Sequence, residues 1–190
     1  NRIAMWNGST WSAVGGGVTG IGDTVRALVM GPNGILYAGG NFTGMGGVTV
    51  NYVAKWDGTT WSPVGSGTAF GMNGVVTSLA LDGNGNLYAG GHFGAAGGVA
   101  ANFIAKWNGG TWSSLGTGAA NGMNGAVMAL AVDGKGNLYA GGNFTKAGGV
   151  TVNHVAKWDG STWSPLGSGT DGNVSALAFG GGDLYVGGTF

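Results

Sequence analysis

The sequence predicts an all-β propeller of four four-stranded antiparallel blades, and three observations carry that reading. The first is an internal repeat. The segments 3–17, 53–67, 104–118 and 155–169 share a pair of tryptophans around a polar turn, and the first tryptophans fall at 6, 56, 107 and 158, a period of 50 to 51 residues. The second is that two hairpin signatures alternate along the chain, giving four short strands per repeat, the content of one propeller blade. The third is composition: 46 of 190 residues are glycine, glutamate is absent, and Val, Thr, Asn and aromatic residues are abundant. That balance favours strands joined by many turns.

The first hairpin is typified by residues 155–158 and 163–166, which flank an Asp-Gly turn. With a loop of either two or four residues the cross-strand parity is the same. Trp158, Trp163 and Ala156 therefore share one face, and Val155, Lys157 and Leu166 share the other. Both faces carry apolar residues, as expected of a sheet stacked between two neighbours, so Trp158 and Trp163 are expected to be buried.

The second hairpin recurs at 25–42, 76–93, 127–144 and 174–190. An apolar run at 127–132 precedes the turn Asp133-Gly134-Lys135-Gly136, and 137–144 continues as a strand. Strict alternation along the run puts Val127, Ala129 and Ala131 on one face and Met128, Leu130 and Val132 on the other. Small residues at the position of Ala129, namely Ala27, Ser78 and Ala176, suit strands crowded near a propeller axis. Glycine-rich connectors at 43–51, 94–102 and 145–153 lead from the second hairpin back to the first. A parallel β-helix, the alternative, needs shorter rungs and no tight turn twice per repeat.

The whole chain, 1–190, reads as a single domain of four repeats at about 1–50, 51–101, 102–152 and 153–190. It begins with a first motif and ends with a second. Pairing of 174–190 with 3–14 would complete the fourth blade from both termini and remove an exposed sheet edge. Two alternatives stay open. The chain is half of an eight-bladed dimer, or termini of neighbouring chains complete one another's blades in a filament. Both make a homo-oligomer through shared blades a partner expectation.

The Trp pair, the Leu-Tyr-Ala-Gly-Gly segments and the Gly-Gly-Val segments together resemble kelch-like and Rax2-like propeller repeats of bacterial and fungal surface proteins, over nearly the whole chain. The resemblance implies a propeller at an extracellular or cell-surface location and a scaffold with no catalytic residues to carry over. Larger relatives carry more repeats, so four copies also fit an excised or engineered segment.

Seven basic residues offset seven aspartates. Without a basic face to neutralise phosphates, no nucleic-acid partner is expected. No apolar run of membrane-spanning length occurs, so no membrane insertion is expected, and no signal peptide is read. The absence of cysteine excludes disulfides and thiolate metal sites.

No enzyme is expected, and neither a cofactor nor a metal. His92 replaces Asn41 and Asn143 of other repeats, and His154 replaces Tyr52 and Phe103, so both read as repeat drift. Asp82-Gly83-Asn84-Gly85-Asn86 faintly resembles a calcium loop. Its counterparts Gly31-Pro32-Asn33-Gly34-Ile35 and Asp133-Gly134-Lys135-Gly136-Asn137 lose the carboxylate or gain a lysine, so a turn accounts for all three. Asn7, Asn41, Asn143 and Asn173 begin glycosylation sequons, three of which coincide with repeat positions, so turn and strand chemistry accounts for them. The function expected is a non-enzymatic extracellular scaffold or interaction module binding protein or glycan. A lectin and an engineered or filament-forming assembly are the alternatives. Loops between blades would present the ligand face, with Met45, Met72, Asn73, Met123, Asn124 and Lys146 as candidate contacts.

Overall fold

The computed structural model describes residues 2–18, 23–67 and 69–190. Among them, three four-stranded antiparallel sheets form, each an inner hairpin followed by the outer hairpin of the next repeat. The first blade comprises Thr24–Met30, Leu36–Asn41, Val53–Trp56 and Trp61–Pro63. The second comprises Val75–Leu81, Leu87–His92, Ile104–Trp107 and Trp112–Ser114. The third comprises Val127–Val132, Leu138–Gly142, Val155–Trp158 and Trp163–Pro165. This is a propeller arrangement of repeated blades.

A half-blade stands at each end. The outer hairpin of Ala4–Trp6 and Trp11–Ala13 opens the chain, and the inner hairpin of Asn173–Gly180 and Asp183–Thr189 closes it. The expected pairing of 174–190 with 3–14 is not made among the described residues: the two terminal hairpins are separate two-stranded sheets. Whether ends meet depends on how far each blade turns relative to the last. Three such steps do not bring these ends together.

Outer hairpins turn on an acidic or amide side chain. Asp159 Oδ1 accepts hydrogen bonds from the backbone N–H of Ser161 and Thr162, both at 2.8 Å, and Asn7, Asp57 and Asn108 make the same pair of contacts. Glycine follows in each copy because the next residue adopts a positive φ, +104° at Gly160. The loop is the four-residue form, with Trp158 directly opposite Trp163.

Inner hairpins depart from strict alternation. A bulge lies between Val127 and Ala129, and again between Val25 and Ala27 and between Val174 and Ala176. The extra residue shifts parity by one position. Val127 and Leu130 consequently face the same neighbour, both lying over Gly90 of the preceding blade. The expected split of these two residues between faces is therefore corrected. Gly39 under Val76 and Gly141 under Val174 repeat the contact. A Cβ at any of the three would overlap the valine methyl, so glycine is needed there for close blade packing.

The core follows this stacking. One cluster spans Tyr88, Ile104, Val127, Leu130, Leu138, Phe144 and Trp163, drawn from the second and third blades. Equivalent clusters lie between the first two blades and beneath the N-terminal hairpin. No helix among the described residues is long and apolar enough to cross a membrane.

Candidate functional site

The tryptophans belong first to packing. Trp158 and Trp163 are both buried, as their shared face predicts, with ring centroids 5.3 Å apart and planes inclined by 47°. The indole Nε1 of Trp163 donates to the carbonyl of Leu115 at 2.9 Å, Trp112 to Val64 at 3.0 Å, and Trp61 to Val14 at 3.1 Å. Each bond joins one outer hairpin to that of the preceding repeat. An indole N–H buried without a partner would be costly, and this acceptor satisfies it.

Connectors tie the blades on one side. Gly44–Met45 pairs with Val48–Thr49, Ala95–Ala96 with Val99–Ala100, and Lys146–Ala147 with Val150–Thr151, each as a miniature hairpin. In the second and third blades the loop preceding the inner hairpin clamps the connector that follows. Asn124 Oδ1 accepts from the N–H of Thr145 and of Lys146, at 2.9 and 2.8 Å, and Asn73 does the same for Gly94 and Ala95.

This placement revises the candidate ligand contacts. Met45, Met72 and Met123 are buried, so they offer no side chain to a surface ligand. Met72 and Met123 form bridges to Ala96 and Ala147 in the adjoining connectors, and Met45 bridges to Val18. The amides of Asn73 and Asn124 serve the connectors. Only Lys146 of the six has an exposed side chain not committed to holding that face.

A site that the sequence reading did not single out lies at the opposite, turn-bearing ends of the inner hairpins. Leu81 pairs with Leu87, and Val132 with Leu138, so the turns 82–86 and 133–137 each hold five residues. In the last copy Gly180 pairs with Asp183, leaving only Gly181 and Gly182, at φ +63° and +94°. The shorter turn opens a groove of about 470 Å³ lined by Asp133, Lys135, Tyr139, Lys157 and Phe179. The visible signal was the replacement of the Asp-Gly-x-Gly-Asn turn by three glycines at 180–182.

The groove is both aromatic and charged. Tyr139 meets the edge of Phe179 with centroids 4.8 Å apart, and Lys157 Nζ lies 5.9 Å from the Tyr139 ring centroid. Asp133 Oδ1 accepts from the N–H of Lys135 and Asn137, and Oδ2 accepts from Asn137 Nδ2 and the Tyr139 hydroxyl. Burial opposes the charge on Asp133, but these hydrogen bonds outweigh it and hold the carboxyl below its ordinary value. Burial and then the Asp133 charge push the Tyr139 hydroxyl up. Equivalent donors surround Asp82: the N–H groups of Asn84 and Asn86, Asn86 Nδ2 and the Tyr88 hydroxyl. Asp133 thus acts as a brace, and Lys135 and Lys157 are the basic residues in the groove lining.

Two smaller hollows sit beside the tryptophan pairs. One of about 170 Å³ borders Trp107 and Trp112, and its repeat equivalent of about 240 Å³ borders Trp158 and Trp163. His92 and His154 lie on different blades, His92 at the end of its strand and His154 at a positive φ of +66° shared with Tyr52 and Phe103. The shared conformation fits repeat drift at the position of His154. Among the described residues no cluster of three His, Cys, Asp or Glu side chains is poised to hold a metal.

No family model and no curated protein matches the sequence. Solved structures match its fold, and those named below are propellers. The chain is similar to the computationally designed Ika8 protein, at 20% identity and TM-score 0.55, over 86% of this chain and 42% of that one. It is similar to the extracellular domain of a one-component system of B. thetaiotaomicron, at 13% identity and TM-score 0.54, over 86% and 20%. It is also similar to YCF48 bound to D1 peptide, at 16% identity and TM-score 0.52, over 94% and 50%. The chain therefore spans half or less of these proteins' length. At such identities the likeness establishes the propeller fold.

Proposed function

We propose that the chain is a non-enzymatic interaction module of the kelch-like or Rax2-like repeat type, working outside the cell, and that its groove between the third blade and the C-terminal half-blade takes an extended peptide. The observation that carries this reading is the groove itself: Lys157 beside the Tyr139 ring, with Lys135 and Phe179 also in its lining, open where the five-residue turn is missing. That chemistry suits a segment with a carboxylate beside an apolar or aromatic side chain. Two similarities support the class: YCF48 was solved with a peptide bound, and the B. thetaiotaomicron neighbour is an extracellular domain. Non-enzymatic use is supported by Asp82 and Asp133, whose carboxylates brace turns, and by the separation of the two histidines.

The test is calorimetric titration with short peptides. An acidic-aromatic peptide should bind, and Lys157→Glu and Phe179→Ala should each weaken it about tenfold, near 1.4 kcal/mol. Equal binding of a basic peptide, or binding untouched by both substitutions, would overturn the reading.

A glycan is the second reading, favoured by the paired hollows at Trp107/Trp112 and Trp158/Trp163, since repeated shallow sites suit weak multivalent sugar binding. The indoles there are buried, which leaves little ring face for stacking. A glycan array with no binding at high protein concentration would end it.

A further inference from the structure

Residues that are buried in the interior repeats are exposed at the two terminal half-blades and on the free face of the first blade. Trp61, Trp112 and Trp163 are 3–5% exposed, whereas Trp11 is 70% exposed. Tyr37, Tyr88 and Tyr139 are at most 9% exposed, whereas Tyr185 is at 61%. Leu79 and Leu130 are at 8%, and Leu28 is at 50%. Phe190, the counterpart of buried Phe42, Phe93 and Phe144, is likewise exposed. These are not scattered apolar side chains. They are the two sides of one blade junction, made three times within the chain and left unmade at the ends.

The two edges match in register. Within the blades Tyr37 faces Lys55, Ala38 faces Ala54 and Gly39 faces Val53, and the other two blades repeat this. Transferred to the ends, the same register sets Tyr185 opposite Met5, Val186 opposite Ala4 and Gly187 opposite Ile3. Arg2 already has the left-handed backbone, φ +53°, seen at Tyr52, Phe103 and His154. Those three residues give their carbonyls to the N–H of Gly40, Gly91 and Gly142. Leu166 occupies the position of Val14, Val64 and Leu115, whose carbonyls accept an indole N–H. Trp11 carries the indole that would reach it. Gly187, the counterpart of Gly39, Gly90 and Gly141, has no valine above it, and Val25 is the valine of that set. Even the exception fits: Met5 replaces the lysine that rests on the tyrosine ring elsewhere, and a thioether makes a favourable contact with an aromatic edge.

We propose that the half-blades of one chain are completed by those of a second copy, with Ala4–Trp6 of each pairing with Asp183–Thr189 of the other, so that two chains close into one ring. One chain's curvature leaves its own ends apart after three blade-to-blade steps, and a second copy supplies both missing halves at once. Such an arrangement is isologous and closed, and eight blades lie within the ordinary propeller range. It also covers both free strand edges. The connector hairpin is the one part of an interior blade that neither half carries.

Because the chain has no cysteine, the register can be tested with single thiols. Met5→Cys and Tyr185→Cys alter exposed side chains and leave the interior intact, which circular dichroism verifies. The two variants are mixed and treated with a short thiol-to-thiol crosslinker. The mixture should give a covalent product of twice 18.6 kDa, each variant alone should not, and the double variant should link between chains. No product in the mixture would overturn the proposal. So would a double variant that closes within one chain, or a ladder of higher multiples.

Discussion

The indole N–H of Trp163 donates to the carbonyl of Leu115 at 2.9 Å, 48 residues back along the chain. This contact binds the start of one outer hairpin's second strand to the residue just after the second strand of the previous outer hairpin, and Trp61 and Trp112 repeat it. The interior tryptophan pairs are therefore the joints of the stack, with the two rings packed against each other and the N–H of the second reaching backwards.

Replacing Trp163 tests that role. Trp163→Ala should cost about 3–5 kcal/mol, the usual range for a buried tryptophan. Trp163→Phe should cost about 1–3 kcal/mol, because the Leu115 carbonyl loses its donor in a buried place. Urea unfolding followed by far-ultraviolet dichroism reads both. Equal, small effects from the two substitutions would remove the joint from the account.

Close approach of the blades gives a second contrast. Gly141 lies beneath the Val174 methyl, whereas the nearest atom to a Cβ at Gly187 is Ala176 Cβ at 3.7 Å. Gly141→Ala should cost about 1–3 kcal/mol through overpacking. In a dilute monomeric sample Gly187→Ala should change stability by less than about 0.5 kcal/mol. Thermal melts of the two variants side by side check the difference.

Acid should loosen the inner turns. Asp82 and Asp133 have carboxyls held below their ordinary value, against burial, by hydrogen bonds from Asn86 and Asn137 and from nearby backbone N–H groups. A group whose folded pKa is depressed contributes stability above its unfolded pKa, near 3.9 for Asp, and loses that contribution as pH falls through the folded value. Stability should thus be flat from neutral pH to about 5 and drop below about 4. Asp133→Asn should be less stable at neutral pH and show a shallower acid slope, as measured by melting temperature across pH.

Much of this was legible because the chain repeats itself. Trp158 and Trp163 are separated by a four-residue turn, so their shared face follows from local parity alone. Val127 and Leu130 were misplaced because strict alternation carries no signal for the bulge at Met128, which shifts the parity of the strand by one. Met72 and Met123 read as loop residues because their burial depends on connectors more than 20 residues away. The unmade junction between 3–14 and 174–190 has a similar cause. Closure depends on an angle accumulated over three blade contacts, and no single residue carries it. The groove at Tyr139 could have been found from the short glycine turn at 180–182, had the missing residues been read as open space.

The most direct measurement is the native mass of the chain across concentration. The account predicts a species of twice 18.6 kDa for the wild-type chain. Trp11→Ala, which alters an exposed indole whose ring neighbour, Trp6, is itself exposed, should revert to 18.6 kDa while keeping its dichroism. A wild-type chain that stays at 18.6 kDa at every concentration, or a Trp11→Ala variant that assembles as well as the wild type, would contradict it.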